Sequence, residues 1–384
     1  MTGALPVEGS LELSIQVTDG RFSRVSILNR RPLSIATAFT GQQAGAAVGL
    51  CARLFSICRF AQGLAAAEAV ERAGQAAVSP SQRQARQVLL AAEAVLEHAG
   101  RSLLVWPDLL GEPVRIMELK TLREALTGLH LALYPDGDWM RPGGGRLAPD
   151  QPQLIRRVAA AAQVVRNAVL GGDLPKEISA WADWCQAGTT TAPRMARRLE
   201  ERGIGAFGAS PITALPVLPL DDLNARLAAD EGAFTAAPDW DGVPRITGPY
   251  ARHHDHPLVA ALGQGLCARL AARLVELSQA LRRLQELVHG MAADPGQPLA
   301  AASGSGLSMI EAARGLLAHR VELEQGRVRR YQILAPTEWN FHPQGALPQG
   351  LIGRPAGDKP ELRARHLIAS LDPCVACRVE VSHA

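Results

Sequence analysis

Cys374 and Cys377 stand three residues apart in the closing stretch SLDPCVACRVEVSHA. A C-x-x-C pair can hold a soft metal, cycle through a disulfide, or be incidental. Four more cysteines lie at positions 51, 58, 185 and 267. Six in a chain of 384 residues do not make a disulfide framework, so reduced thiols are expected. Cys51, Cys185 and Cys267 fall in apolar or helical stretches and read as core residues. Cys58 taken alone reads the same way. The run RHHDHP, residues 252–257, gathers His253, His254, Asp255 and His256. Such a cluster could bind zinc or nickel. It lacks regular ligand spacing, and a solvated helix start, with Asp255 favouring the amino end, fits it better.

The surrounding elements must bring these groups together. Hydrophobic residues make up 47% of the chain and aromatics only 4%, so the apolar content is mostly Ala, Leu and Val. Ala and Leu are strong helix formers, and packed helices follow. SLELSIQVTDGRFSRVSIL alternates apolar and polar residues around Asp19-Gly20, a hairpin signal. A second hairpin is expected at Gln325-Gly326 in AHRVELEQGRVRRYQILAP. Together the two hairpins would supply a small antiparallel sheet drawn from both ends of the chain, making residues 1–384 a single interleaved domain. Between them, PSQRQARQVLLAAEAVLEHAGRSLLVW and PQLIRRVAAAAQVVRNAVLGG repeat apolar residues at helical spacing. So does HPLVAALGQGLCARLAARLVELSQALRRLQELVHGM, which reads as one long core helix with Pro257 near its start. A net charge of +3 gives no case for nucleic acid. No apolar run is long enough to span a membrane, and no secretory leader is visible, so a cytoplasmic protein is expected.

Four stretches, in order and reaching both ends, resemble the large subunit of nickel–iron hydrogenases. VEGSLELSIQV is similar to that family's opening Glu-Gly-His and strand. CARLFSICRFAQGLAAAEAVERA is similar to Arg-x-Cys-Gly-x-Cys with a His four residues on. The third stretch, TGPYAR through EAARGLLAHRVELEQGRVRRYQILAPTEWNFHP, matches a Pro-Arg-Gly segment, a hairpin and Pro-Thr-x-Trp-Asn. SLDPCVACRVE matches Asp-Pro-Cys-x-x-Cys-x-x-His. The resemblance implies an α+β, mainly helical fold with a long-helix core. It also implies a shared metal pocket. In the family, the first Cys of each pair binds nickel and the second bridges nickel and iron.

The departures bear on function. Aligned on Arg53, the first thiol position is Phe55 and the second is Cys58, while Cys374 and Cys377 are both kept. One nickel-only ligand is lost, so nickel is not expected. Cys58, Cys374 and Cys377 remain as candidate ligands for an iron that carries its own cyanide and carbon monoxide. Ser10, Gln62 and Glu380 replace family histidines, and the Arg-Gly-x-Glu motif that supplies a proton-relaying acid is missing before Cys58. Arg314 aligns with the family's Arg beside the cyanides, where a guanidinium donates hydrogen bonds; Ala313 replaces the preceding Pro. A surface ion pair is its plainer reading. Glu8 matches an acid behind the ligands, although Glu at a strand start is commonplace. Thr337, Trp339 and Asn340 would shape the pocket wall.

This pattern resembles the HupK-type hydrogenase maturation proteins, a degenerate branch of the large subunits. It implies a non-catalytic scaffold that assembles or transfers an iron–dicyanide–carbonyl unit. The expected partners are a HypC-type chaperone and the hydrogenase large-subunit precursor. The competing expectation is a divergent hydrogenase large subunit or hydrogen sensor that binds nickel.

Overall fold

The computed structural model describes residues 9–30 and 33–384; Glu8 lies outside the described residues. Strands β1 (Ser10–Thr18) and β2 (Arg21–Asn29) form the first hairpin. Asp19 (φ 50°) and Gly20 (φ 70°) both take the left-handed conformation that a twisted two-residue turn requires. Leu11, Leu13, Ile15 and Val17 all turn into the core, as their alternation predicts.

Helices α1 (Ala44–Leu54) and α2 (Arg59–Ala73) follow. Helix α2 is buried almost all round, because its alanines and Gly63 let neighbours approach closely. Helix α3 (Pro80–Leu110) is 31 residues long. Ser79 caps it, its side chain accepting the Gln82 N–H at 3.1 Å, and Pro80 suits the first turn, where an N–H would lack a partner. Gly111, at φ 75°, ends it.

The run from Pro257 to Val288 is not one helix. A short helix (Pro257–Leu262) stops at Gly263, whose φ is 82°, and α4 (Leu266–Leu287) begins after Gly265. The break has a packing cause: a Cβ on Gly265 would sit 2.5 Å from the Cα of Ala206, so the backbone of 205–206 passes through the gap. The histidine run proves structural. His256 caps the short helix, its Nδ1 accepting the Leu258 N–H at 3.3 Å, in the place expected for Asp255. His253 Nε2 meets Glu276 at 2.6 Å.

Strands β3 (Gly304–Ala312), β4 (Gly315–Glu324) and β5 (Arg327–Leu334) form an antiparallel sheet in that order. The expected turn is there, with Gln325 at φ 49° and Gly326 at φ 76°. The sheet lies hard against α2: a Cβ on Gly306 would come 2.1 Å from the Ala69 carbonyl oxygen, so only glycine fits. Helix α5 (Pro360–Leu371) leads into the final strand, β6 (Ala376–His383).

The two ends of the chain do meet in a sheet, but not hairpin to hairpin. Strand β6 runs parallel to β1 on the edge that β2 leaves free, pairing Leu11 with Cys377 and Val17 with His383. The second hairpin builds its own sheet, because β3 occupies the other edge of β4. The expected antiparallel sheet is therefore two three-stranded sheets, one of them mixed. No helix among the described residues is long and apolar enough to cross a membrane.

Candidate functional site

The turn between α1 and α2 carries Phe55, Ile57 and Cys58. It faces Arg314 at the start of β4, Ala335 and Pro336 after β5, and Cys374 and Val375 before β6. Gln62 of α2 and two carboxylates of α3, Glu93 and Glu97, complete the wall. The pocket holds about 520 Å³, counting the solvent at its mouth, and Ile57 lies there 44% exposed.

Cys58 is the residue before the first turn of α2, where backbone N–H groups lack helical partners. Glu93 takes two of them, accepting from Phe60 at 2.8 Å and Ala61 at 3.0 Å. Burial nevertheless pushes the Glu93 carboxyl up to about 8, against those hydrogen bonds. Burial also holds the Cys58 thiol well above its ordinary value, and the neighbouring Cys374 and Glu93 push it the same way.

Arg314 is 6% exposed, so the surface-pair reading fails. Its Nη2 donates to Glu97 at 2.6 Å and its Nε to Asp372 at 3.2 Å. Burial opposes its charge, but Asp372, Cys374, Glu97 and Cys58 outweigh that and raise it. Asp372 also binds Arg101 at 2.5 Å and Arg273 at 2.6 Å. Burial would favour its neutral form, yet three guanidiniums hold its carboxyl far below the usual range. Asp372 adopts φ 58°, closing α5 and turning the chain so that Pro373 and Cys374 reach the pocket.

Thr337 and Asn340 act on the backbone. The Thr337 hydroxyl accepts the Cys374 N–H at 3.4 Å. Asn340 accepts the Thr247 N–H at 2.9 Å and donates to the Arg314 carbonyl at 3.3 Å, tying that loop to the short helix Pro336–Asn340. Trp339 is fully buried.

Gln62 ends a buried relay. His319 Nε2 lies 2.9 Å from Gln62 Oε1, and its Nδ1 lies 2.8 Å from the Tyr331 hydroxyl. Burial pushes the His319 imidazole down to about 3, so it is neutral. An amide oxygen only accepts, so His319 carries its proton on Nε2 and the tyrosine donates to Nδ1. Gln62 thus joins this buried relay to the pocket it lines.

Of the expected ligands, Cys58 and Cys374 share the pocket and Cys377 does not. Cys377 is the second residue of β6 and packs on the core beside Val379 and Val381. Strand alternation puts Glu380 on the opposite, exposed face. Among the described residues, no three His, Cys, Asp or Glu are grouped to hold a metal ion. The expected convergence of three thiols is thus reduced to two. Cys51, Cys185 and Cys267 are buried core residues, as read.

Sequence reasoning missed Glu93, Glu97 and Asp372. The Arg-Gly-x-Glu acid expected before the first thiol position is missing from the sequence, but α3 brings two other carboxylates to the pocket. Their signal was present: Glu93 and Glu97 are spaced i, i+4 within the apolar run AAEAVLEHAG, so they share one face of α3. Two acids on a core face need a partner.

A family model described as nickel-dependent hydrogenase matches residues 258–380. The hydrogenase expression/formation protein HupK of Azotobacter vinelandii is 32% identical over 98% of this chain and 99% of its own length. HupK of Rhizobium leguminosarum bv. viciae is 33% identical over 98% and 97%. HoxV of Cupriavidus necator, also an expression/formation protein, is 32% identical over 92% of each. Among solved structures, the reduced Ni-Fe-Se hydrogenase of D. vulgaris Hildenborough superposes with a TM-score of 0.69 over 93% of this chain and 94% of that one, at 17% identity. That is a likeness of fold alone. About a third identical to HupK and HoxV from end to end, and folded as a hydrogenase large subunit, the chain belongs to the family of hydrogenase expression/formation proteins.

Proposed function

We propose that the chain is a non-catalytic maturation scaffold whose cargo is an iron–dicyanide–carbonyl unit, held between Cys58 and Cys374. The observation that supports this reading is the pocket itself, where the thiols of Cys58 and Cys374 line one cavity beside a buried guanidinium; by the resemblance, Phe55 stands where a nickel-only thiol is expected. Soft thiolates suit such an iron. Arg314 has Nε and Nη2 committed to Asp372 and Glu97, so Nη1 remains to donate to an anionic cyanide. The Gln62 amide, one turn along α2 from Cys58, offers a second donor. Apolar neighbours Leu317, Ala335 and Val375 suit the carbonyl.

Phe55 is 4% exposed and offers no lone pair, which disfavours nickel. The unit would arrive from a HypC-type chaperone and leave for the hydrogenase large-subunit precursor. The exposed Ile57 at the mouth marks the side of entry. Burial keeps Cys58 protonated without a bound cation, so loading releases a proton and handover returns one.

The test is infrared spectroscopy of the protein purified anaerobically from cells with their maturation machinery. Bands of metal-bound cyanide and carbon monoxide, with iron and no nickel by metal analysis, are expected. Stoichiometric nickel, or a preparation with neither iron nor bands, would overturn the reading.

A further inference from the structure

A second, smaller cavity, of about 340 Å³ when the open solvent at its mouth is counted, lies between α3, α4, α5 and the helix Thr191–Glu201. Trp106, Leu109, Met195 and Leu199 give it apolar walls. Arg269 and His366 also line it, and both are unusual. Arg269 is 5% exposed, its Nε has no hydrogen-bond partner, and no carboxylate pairs with it among the described residues. The Tyr250 ring lies 5.0 Å from its guanidinium carbon. His366 is 2% exposed, and neither ring nitrogen has a partner.

A buried charge without a counter-ion is costly, and so is a buried imidazole with both nitrogens unmet. Two such groups on one wall call for a ligand that meets both. Arg273, the other arginine there, already has a carboxylate partner, Asp372 at 2.6 Å. Burial, helped by Arg202 and Arg365, pushes His366 down to about 4, so the ring is neutral near pH 7. Arg269 is therefore the cation lining this cavity that has no carboxylate partner among the described residues. Tyr250 contributes only a cation–π contact, so the N–H fork of Arg269 is available to another group.

We propose that this cavity binds a small monoanion bearing a carboxylate-type group, gripped by the Arg269 fork and by one N–H of His366. The apolar walls and limited volume restrict it to a few heavy atoms, on the scale of formate, acetate or bicarbonate. This site is separate from the thiol pocket and does not depend on the cargo proposed there.

The probes are sodium formate and sodium bicarbonate, set against sodium chloride at matched ionic strength and pH. Thermal melts of the whole chain are expected to shift upward with formate or bicarbonate beyond chloride. Arg269→Met should weaken the apparent affinity at least tenfold, while Arg269→Lys keeps the charge, loses the fork and falls between. If Arg269→Met does not fold, wild-type protein decides by line broadening of carbon-13 formate that excess unlabelled acetate reverses. An equal response to chloride, an unchanged response in a folded Arg269→Met, or no broadening would overturn the proposal.

Discussion

Replacing Asp372 with Asn keeps the shape and removes the charge that three arginines share. Arg101 is 23% exposed and can turn to water, and Arg314 keeps Glu97 at 2.6 Å. Arg273 is left worst off: it is 5% exposed, and its other contact is the Ser370 carbonyl at 3.4 Å. Removing one partner of a buried ion pair costs about 3–5 kcal/mol, because the remaining charge stays buried without compensation. An unfolding entropy of about 2.1 cal/mol/K per residue gives roughly 0.8 kcal/mol/K for a chain of this length, so the melting midpoint should fall by about 4–6 °C. Paired denaturant and thermal unfolding of wild type and Asp372→Asn measure this. Adding Arg273→Met should recover part of the loss, since removing both partners of a buried pair is often close to neutral. A single variant within about 1 kcal/mol of wild type, or a double variant worse than the single, would refute the account of Asp372 as the common counter-ion.

Three further outcomes follow from the pocket. Glu93 has a folded value near 8 against 4.5 unfolded, so between those limits the folded chain holds more protons, and stability falls as pH rises through the window, by at most about 1.4 kcal/mol per unit. Glu93→Gln should flatten that decline in urea midpoints taken from pH 5.5 to 8, and parallel slopes would count against it. Cys374→Ser should abolish the cyanide and carbonyl bands while Cys377→Ser retains them, with chain abundance checked in each; loss in both would mean that the tail re-seats on loading. Phe55→Cys should lose about 2–5 kcal/mol from the buried carbons removed, and gain no hydrogen uptake when supplied with iron, nickel and a small subunit. Turnover near that of an ordinary hydrogenase would make one side chain the whole difference.

Both hairpin turns and α3 were legible in the sequence because their signals are local: Asp19-Gly20, Gln325-Gly326, and Ser79-Pro80 ahead of an apolar repeat. The pairing of β6 with β1 was not. A parallel register between residues more than 300 apart leaves no local mark. The break before Leu266 was hidden for a related reason: GQG inside a helical repeat is tolerable until a distant backbone, here 205–206, needs the space. At the site, resemblance pointed to Cys58, Cys374 and Arg314, which line one pocket, and to Thr337 and Asn340, which hydrogen-bond the backbone at Cys374 and Arg314. Cys377 was placed there by motif, but strand alternation turns its side chain to the core. Asp372 went unnoticed because its meaning lies in the arginines it meets across the fold.

The seam between the first and last strands also has a consequence for timing during synthesis. The pocket draws its walls from the 55–62 turn and from Cys374, over 300 residues later, and the segment bearing Cys374 runs straight into the strand that docks on β1. A ribosome adds some 5–20 residues per second, so the early wall waits tens of seconds for the late one. Nothing emerging from the exit tunnel in that interval can grip cargo from both sides. On the proposed reading, cargo can be gripped from both walls only once Cys374 has been made, and the docking of β6 on β1 is the latch that closes the pocket.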